Sequence, residues 1–181
     1  MPIMICLRSC VQHFGFSKKC PSNQPRELMI TGQDKFTYDF HLADHDGQAA
    51  IAMGETDYEN FINEFTNFPW LDQLEIANKL KNTSATITVQ DSQNETELWT
   101  SIAGNRDNHG YIVGYNFPKT IKGNLFRKER TVKWVIMYAT EVTEKIVNCY
   151  NLFFKRDTTG LILELEQLYF YGETEAHKQE F

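Results

Sequence analysis

From Ser84 to Thr140 the chain carries four runs, "ATITVQD", "ELWTSIAG", "GYIVGYNFP" and "TVKWVIMYA", each dense in β-branched and aromatic residues. Polar or glycine-bearing loops, "SQNE" and "NRDNHG", divide the first three. Side chains of these types pack well on a pleated surface. Short polar connections between such runs return the chain beside the strand it has just left. The pattern predicts an antiparallel meander, and every other element has to bury its apolar side against it.

The flanking segments supply those elements. "KFTYDFHLA" alternates Phe36, Tyr38, Phe40 and Leu42 with Thr37, Asp39 and His41, the period of a half-buried strand. "DHDG", residues 44 to 47, turns it into "QAAIAMG", which predicts a hairpin. Thr56, with Glu59 three residues on, has capping-box spacing, and Tyr58, Phe61, Ile62 and Phe65 fall on one helical face. Pro69 ends that helix, after which Leu71, Leu74, Ala77 and Leu80 form a second helical stripe.

Beyond the meander, Thr140 reads as the N-cap of a helix that buries Val142, Ile146, Tyr150, Phe153 and Phe154, with Gly160 of "DTTG" as its stop. In "LILELEQLYFYG", Leu161, Leu163 and Leu165 set against Glu164 and Glu166 favour a closing strand, although a helix also fits. The order of elements predicts an α+β fold: a mostly antiparallel sheet with helices packed on one face. One domain over residues 1–181 accounts for it, with 1–25 as an N-terminal segment ending in the turn-rich connector "KKCPSNQP" and 173–181 as a frayed tail.

A chain of 181 residues that is 41% apolar and 13% aromatic can bury a sizeable core without covalent staples. Cys6, Cys10, Cys20 and Cys149 are too few and too unevenly spaced for a disulfide framework, so reduced thiols in a cytoplasmic protein are expected. The start "MPIMICLRSCVQHFGF" lacks a basic leader region and a cleavage pattern, and no stretch is long and apolar enough to span a membrane. Asn82-Thr83-Ser84 and Asn94-Glu95-Thr96 match the glycosylation acceptor pattern, which is relevant only to a secreted protein, and are read as chance.

Two clusters invite a metal reading. Cys6, Cys10, His13 and Cys20 are soft ligands in one short stretch, but a zinc site wants two tightly spaced pairs, and six residues separate His13 from Cys20. His41, Asp44, His45 and Asp46 concentrate imidazole and carboxylate, yet Asp and Gly are also the residues a tight turn needs. No metal and no cofactor is expected from either. Arg106, Asp107 and His109 share a glycine-bounded loop that strand connection alone explains. Phosphate-cradling glycine loops, H-E-x-x-H and G-x-S-x-G are all absent from the sequence, so no catalytic residue is assigned.

Charge is the more informative layer. The net charge is −6, and between Lys35 and Lys79 there is no Lys or Arg, while Asp39, Asp44, Asp46, Glu55, Asp57, Glu59, Glu64, Asp72 and Glu75 all fall there. Such a segment repels nucleic-acid phosphate and steers a basic partner toward it. The opposite stretch "KTIKGNLFRKERTVK" carries Lys119, Lys122, Arg127, Lys128, Arg130 and Lys133, but within an acidic chain and with Phe126 its one aromatic, so nucleic-acid binding is not expected.

The stretch "ITVQDSQNETELWTSIAGNRDNHGYIVGYNFP" followed by "ATEVTEKIVNCYNLFFKRDTTGLILELEQL" covers about residues 84 to 168. This pattern of elements in a small acidic chain resembles the immunity proteins of bacterial contact-dependent inhibition and other polymorphic toxin systems. The resemblance implies a non-catalytic protein that binds and neutralises a cognate toxin, often a basic nuclease. Carboxylates standing where phosphates would sit would form the contact surface: Asp39, Asp44, Asp46, Glu55, Asp57, Glu59 and Glu64, with Tyr58 among them. Tyr58, Trp70 and Trp99 are candidate aromatic anchors. The alternative is a small-ligand-binding α+β domain, or a hydrolase with an unrecognised site, whose pocket the abundant Phe and Tyr would line.

Overall fold

A computed structural model describes residues 36–45, 50–123 and 128–176. The chain divides into Met1–Thr31 and Gly32–Phe181, and all described residues belong to the second part. The N-terminal cysteine cluster and the connector "KKCPSNQP" lie outside the described residues.

Seven strands form one antiparallel sheet: β1 (Phe36–His41), β2 (Ile51–Thr56), β3 (Thr86–Asp91), β4 (Thr96–Asn105), β5 (Asn108–Ile121), β6 (Arg130–Thr140) and β7 (Tyr169–Glu175), in the spatial order β2-β1-β3-β4-β5-β6-β7. The helices α1 (Tyr58–Asn67) and α2 (Trp70–Leu80) connect β2 to β3, and α3 (Thr143–Phe154) and α4 (Thr158–Leu165) connect β6 to β7. This is the expected α+β architecture, with the helices on one face. Both connections place their apolar sides on the same strand positions, so the cross-strand row Tyr38, Val89, Leu98, Tyr115 and Ile136 faces the helices. The neighbouring row Thr37, Gln90, Glu97, Asn116, Val135 and Thr174 lies on the opposite face.

Aromatic rings fill the space between the layers. Tyr150 of α3 is fully buried, 4.6 Å centre to centre from Phe61 and 5.3 Å from Phe65 of α1. Its hydroxyl shares a 2.9 Å hydrogen bond with the Thr100 hydroxyl on the central strand β4. Burial pushes the Tyr150 phenol far up, with the Thr100 bond opposing, so it stays neutral. Pro69 separates α1 from α2, and the Trp70 indole donates back to the Phe65 carbonyl at 3.0 Å, holding the break at a fixed angle. Gln73 of α2, a buried polar residue, accepts from the Ala43 amide at 2.9 Å and so ties α2 to the end of the first hairpin.

A second polar lock joins the β3–β4 turn to the α3–α4 corner. Asp91, only 2% exposed, receives Arg156 Nε at 2.8 Å and Nη2 at 3.1 Å, Asn94 Nδ2 at 2.8 Å and the Gln93 amide at 3.1 Å. Burial pushes its pKa up, but the Arg156 and Asn94 hydrogen bonds and the guanidinium charge outweigh that, and the net shift is downward. Arg156 adopts a left-handed backbone, φ 56°, to turn from α3 into α4.

Several local expectations shift. The N-cap of α1 is Asp57, not Thr56: its side chain accepts from the Asn60 amide at 2.9 Å, the span of a capping-box hydroxyl moved one residue along. Trp70 and Gln73 replace Leu80 on the buried side of α2, because the helix starts at Trp70 and that bulky ring sets its rotation. Thr140 ends β6, and its hydroxyl accepts from the Val142 amide at 3.1 Å; α3 starts only at Thr143, which leaves Val142 exposed. Gly160 does not stop a helix. Its amide bonds the Asp157 carboxylate at 2.9 Å in the first turn of α4, so "DTTGLILEL" is a capped helix and the closing strand begins at Tyr169. Glu173 to Glu175, placed in the tail by the sequence, belong to that strand, and the Ala176 amide still bonds the Lys133 carbonyl at 2.8 Å.

Removing one hydroxyl of the Tyr150–Thr100 pair should cost about 1–2 kcal/mol, since the other is left buried and unpaired. In urea denaturation, Tyr150→Phe and Thr100→Val should each destabilise, and the double variant should cost clearly less than their sum.

Because the folded pKa of Asp91 lies below the ordinary value near 3.9, its contribution is fully present above that value and is lost as pH falls through the folded one. Asp91→Asn should therefore be less stable than the parent at pH 7, by on the order of 1–3 kcal/mol. It should also show a shallower loss of stability between pH 5 and pH 2, as read by denaturant midpoints across that range.

Candidate partner-binding site

The segment without Lys or Arg supplies β1, β2, α1 and most of α2. It forms one edge of the sheet and the helices behind that edge, since β2 is the terminal strand. β2 is exposed along nearly its whole length. A bulge opposite Tyr38 and Asp39 interrupts its pairing, where Gly54 takes φ 94°, a backbone that residues with a Cβ rarely adopt.

The eight residues singled out from sequence do not form one patch. Glu55, Asp57, Tyr58 and Glu59 come together where β2 passes into α1, and Glu64 is exposed further along the helix. Asp44 lies at the other end of the β1–β2 hairpin, a strand length away and 3.9 Å from His45. Asp46 lies outside the described residues. Asp39 sits on the sheet face that the helices leave uncovered, half-buried, accepting from Gln90 Nε2 at 3.0 Å. Burial pushes the Asp39 pKa up, the Gln90 bond pulls it back, and nearby Glu97 adds to the rise. A carboxylate so engaged is poorly placed to meet a partner.

The acidic residues also differ in what they do for the fold. Asp57 caps α1 through both its oxygens, one to the Asn60 amide and one to the Asn60 side chain, each at 2.9 Å. Glu75 of α2 is ion-paired with Arg106 on the β4–β5 hairpin. Glu64 lies close enough to Tyr38 that, after burial, its charge helps to raise the phenol pKa. Glu59 at the first turn and Glu64 further on are exposed on α1.

The anchor candidates divide as well. Trp70 is buried. Tyr58 is half-buried, edge-on to Phe154 at 5.8 Å. Trp99 lies on the uncovered face directly over Gly114, so close that a Cβ there would sit 2.1 Å from the ring, and its Nε1 donates to Asn116 at 3.3 Å.

The other sequence-level candidates resolve into structural roles. His41 Nε2 contacts the Thr83 hydroxyl at 3.1 Å, and Asn105 Oδ1 accepts from the Asp107 and Asn108 amides to form the β4–β5 turn. Among the described residues, no three of His, Cys, Asp and Glu converge as metal ligands. Cys149 is buried and its thiol is pushed up to about 12 by desolvation.

Three cations of the basic stretch are engaged on the sheet. Lys119 stacks 3.8 Å over the Trp134 ring and lies 3.9 Å from Glu173, Arg130 grips Glu175 with two bonds of 2.9 and 2.7 Å, and Lys133 pairs with Glu97. Beside these residues a shallow groove of about 370 Å³ is lined by Gln90, Glu95, Glu97, Pro118, Thr131 and Lys133. A second hollow, next to Arg156 and Tyr115, measures about 10 Å³, room for a single water at most. Rings in the aromatic layer contact one another, and Tyr115 and Phe153 border only this small hollow.

No helix among the described residues is long and apolar enough to cross a membrane. The chain matches no protein-family model, no curated protein and no solved structure.

Sequence reasoning missed two features. Asp91 and Arg156 are 65 positions apart, and nothing local marks them as a pair. The run Tyr169-Phe170-Tyr171, read from sequence as the end of a closing strand with no exposure assigned, is exposed on the edge strand β7.

The split between structural and exposed carboxylates can be measured. Asp57→Ala should cost about 1 kcal/mol through loss of the cap, while Asp57→Asn, which can still cap, should cost far less. Glu59→Gln and Glu64→Gln should each stay within about 0.5 kcal/mol of the parent. Thermal unfolding of the four variants followed by circular dichroism checks this.

Proposed function

We propose that this chain is a non-catalytic immunity protein that binds and neutralises a cognate toxin, a basic nuclease-type domain, through the acidic edge where β2 runs into α1. The supporting observation is the set Glu55, Asp57, Glu59 and Glu64, exposed within ten residues on a terminal strand and its following helix, in a segment that has no Lys or Arg from residue 36 to 78. A nuclease groove is cationic because it holds phosphates, and carboxylates carried on a rigid strand and helix can pair with the same Lys and Arg side chains. The remaining sequence candidates move to lesser roles: Asp39 and Asp44 lie off this edge, and Tyr58 offers its ring rim as the apolar centre of the contact. Rigid elements favour such a surface, since little side-chain or backbone ordering is then left to oppose binding.

On this reading the neighbouring gene encodes a toxin-tipped protein, and both products act in the cytoplasm. The purified toxin domain should bind this chain with a fast, salt-sensitive association rate. The triple variant Glu55→Gln/Glu59→Gln/Glu64→Gln should lower that rate by about tenfold or more at low ionic strength, with the difference shrinking as salt rises. Stopped-flow or surface plasmon resonance reads the rate, and nuclease inhibition reads the outcome. A triple variant that associates and inhibits like the parent removes this surface from the proposal.

A further inference from the structure

On the face of the sheet that the helices leave uncovered, Asp39 is a half-buried carboxylate whose hydrogen-bond partners are neutral. It accepts from Gln90 Nε2 at 3.0 Å and from the hydroxyl of Thr88, the β3 residue directly opposite. On its other side it pairs with Ala52 of β2, whose methyl group offers no donor. The charged groups that share this face do not cancel it. Glu97 of β4 stands across from Gln90 and is itself negative, and Glu55 of β2 stands opposite Thr37, two residues back along β1. Lys133 is taken by Glu97, whose other oxygen accepts from Asn116 at 2.8 Å. His41, two residues on along β1, is the base that acts on Asp39, and its Nε2 contacts the Thr83 hydroxyl at 3.1 Å.

The strand pairing is interrupted at the same residue. The β1–β2 register shifts between Tyr38 and Asp39: Tyr38 pairs with Gly54 and Asp39 with Ala52, which leaves Met53 as the extra residue, 43% exposed. β2 is the terminal strand, so its separation from β1 breaks a single ladder, and its Ile51 and Met53 are exposed before any opening. Elements with few buried apolar contacts open ahead of the whole molecule. Opening here returns Asp39 to water. We infer that Asp39 makes the β1–β2 hairpin a pH-responsive element: a proton taken up by this carboxyl holds the two strands together, and its loss lets them part more often.

The sign follows from these surroundings. Burial raises the Asp39 pKa, the Gln90 and Thr88 bonds and His41 lower it, Glu97 raises it again, and the net shift is upward. The closed hairpin therefore binds the proton more tightly than the open one, whose carboxyl has the ordinary value near 3.9. The stabilisation is fully present below the ordinary value and is lost as pH rises through the raised one. Asp91, on the same sheet but held by a guanidinium, runs the other way. Since β2 leads directly into Glu55, Asp57 and Glu59, a proton on Asp39 also steadies the strand from which the acidic edge starts. The inference concerns the hairpin alone and needs no toxin.

The test uses the full chain without any partner. The carboxyl carbon of Asp39, followed by NMR from about pH 7 to about pH 3, should titrate above the ordinary value near 3.9. Hydrogen exchange, corrected for intrinsic rates, should find the β1 and β2 amides opening more readily than those of β5 and β6. Asp39→Asn keeps an oxygen for the Gln90 bond and cannot ionise. Its hairpin amides should be protected about threefold or more above the parent's at pH 7, and the two proteins should converge by about pH 4. A parent carboxyl that titrates at or below the ordinary value overturns the inference, as do hairpin amides no easier to open than those of β5 and β6. A gap between parent and variant that is absent at pH 7, or that does not close as pH falls, overturns it as well. Should Asp39→Asn fail to fold, the titration and the exchange pattern of the parent decide the matter without it. None of these results bears on toxin binding through β2 and α1, which the rate measurement decides separately.

Discussion

The hydrogen bond between Tyr150 and Thr100 is the point on which the two layers meet. A sheet whose inner face were wholly aliphatic would let the helices slide, because apolar contacts are non-directional. One hydroxyl on the central strand, answered by one phenol on α3, removes that freedom, since any other register leaves two buried polar groups unpaired. The phenol ring itself is the floor on which Phe61 and Phe65 pack, so the same residue that fixes α3 also seats α1. From α1 the constraint runs outward to Tyr38 of β1, 5.8 Å from Phe61, and so to the hairpin that carries the acidic edge. The placement of Glu55, Asp57 and Glu59 follows from the core beneath them.

Much of this was legible in the sequence, and the parts that were not share a physical cause. The meander, the first hairpin and the two helices broken at Pro69 are set by patterns that act over a few residues: period two, period 3.6, and a missing amide. The misreadings fall where two local rules compete. "DTTGLILEL" offers both an alternation and a capped helix; Asp157 reaching the Gly160 amide makes the first turn, and Leu161 and Leu165, four apart, are the pair that the core buries. The cap of α1 went to Asp57 because an Asx side chain spans three residues as well as the Thr–Glu box does.

The acidic site was legible as a charge imbalance but not as a surface. Counting residues between Lys35 and Lys79 finds the missing cations, yet it cannot say that Arg106, on a distant hairpin, would reach back to Glu75, or that Asp39 would turn to the uncovered face and be held by Gln90. Strand parity does carry part of the answer. Asp39 and Phe40 must point to opposite faces, so an apolar Phe36–Tyr38–Phe40 row directed at the helices forces Asp39 away from them.

The two ends of the sheet share one structural device and differ in the side chains they expose. Each edge strand carries a bulge, at Gly54 on β2 and at Tyr171 on β7, so neither offers an unbroken ladder to a stray strand. With main-chain pairing discouraged, what each edge can bind is decided by its side chains. β2 and α1 present carboxylates with no cation in their own segment, a surface that selects by charge and at long range. β7 instead exposes Tyr169, Phe170 and Tyr171, and its own Glu173 and Glu175 are engaged by Trp134, Lys119 and Arg130. Five strands stand between the two edges, a width far beyond a Debye length of about 8 Å, so the charge at one edge is screened from the other.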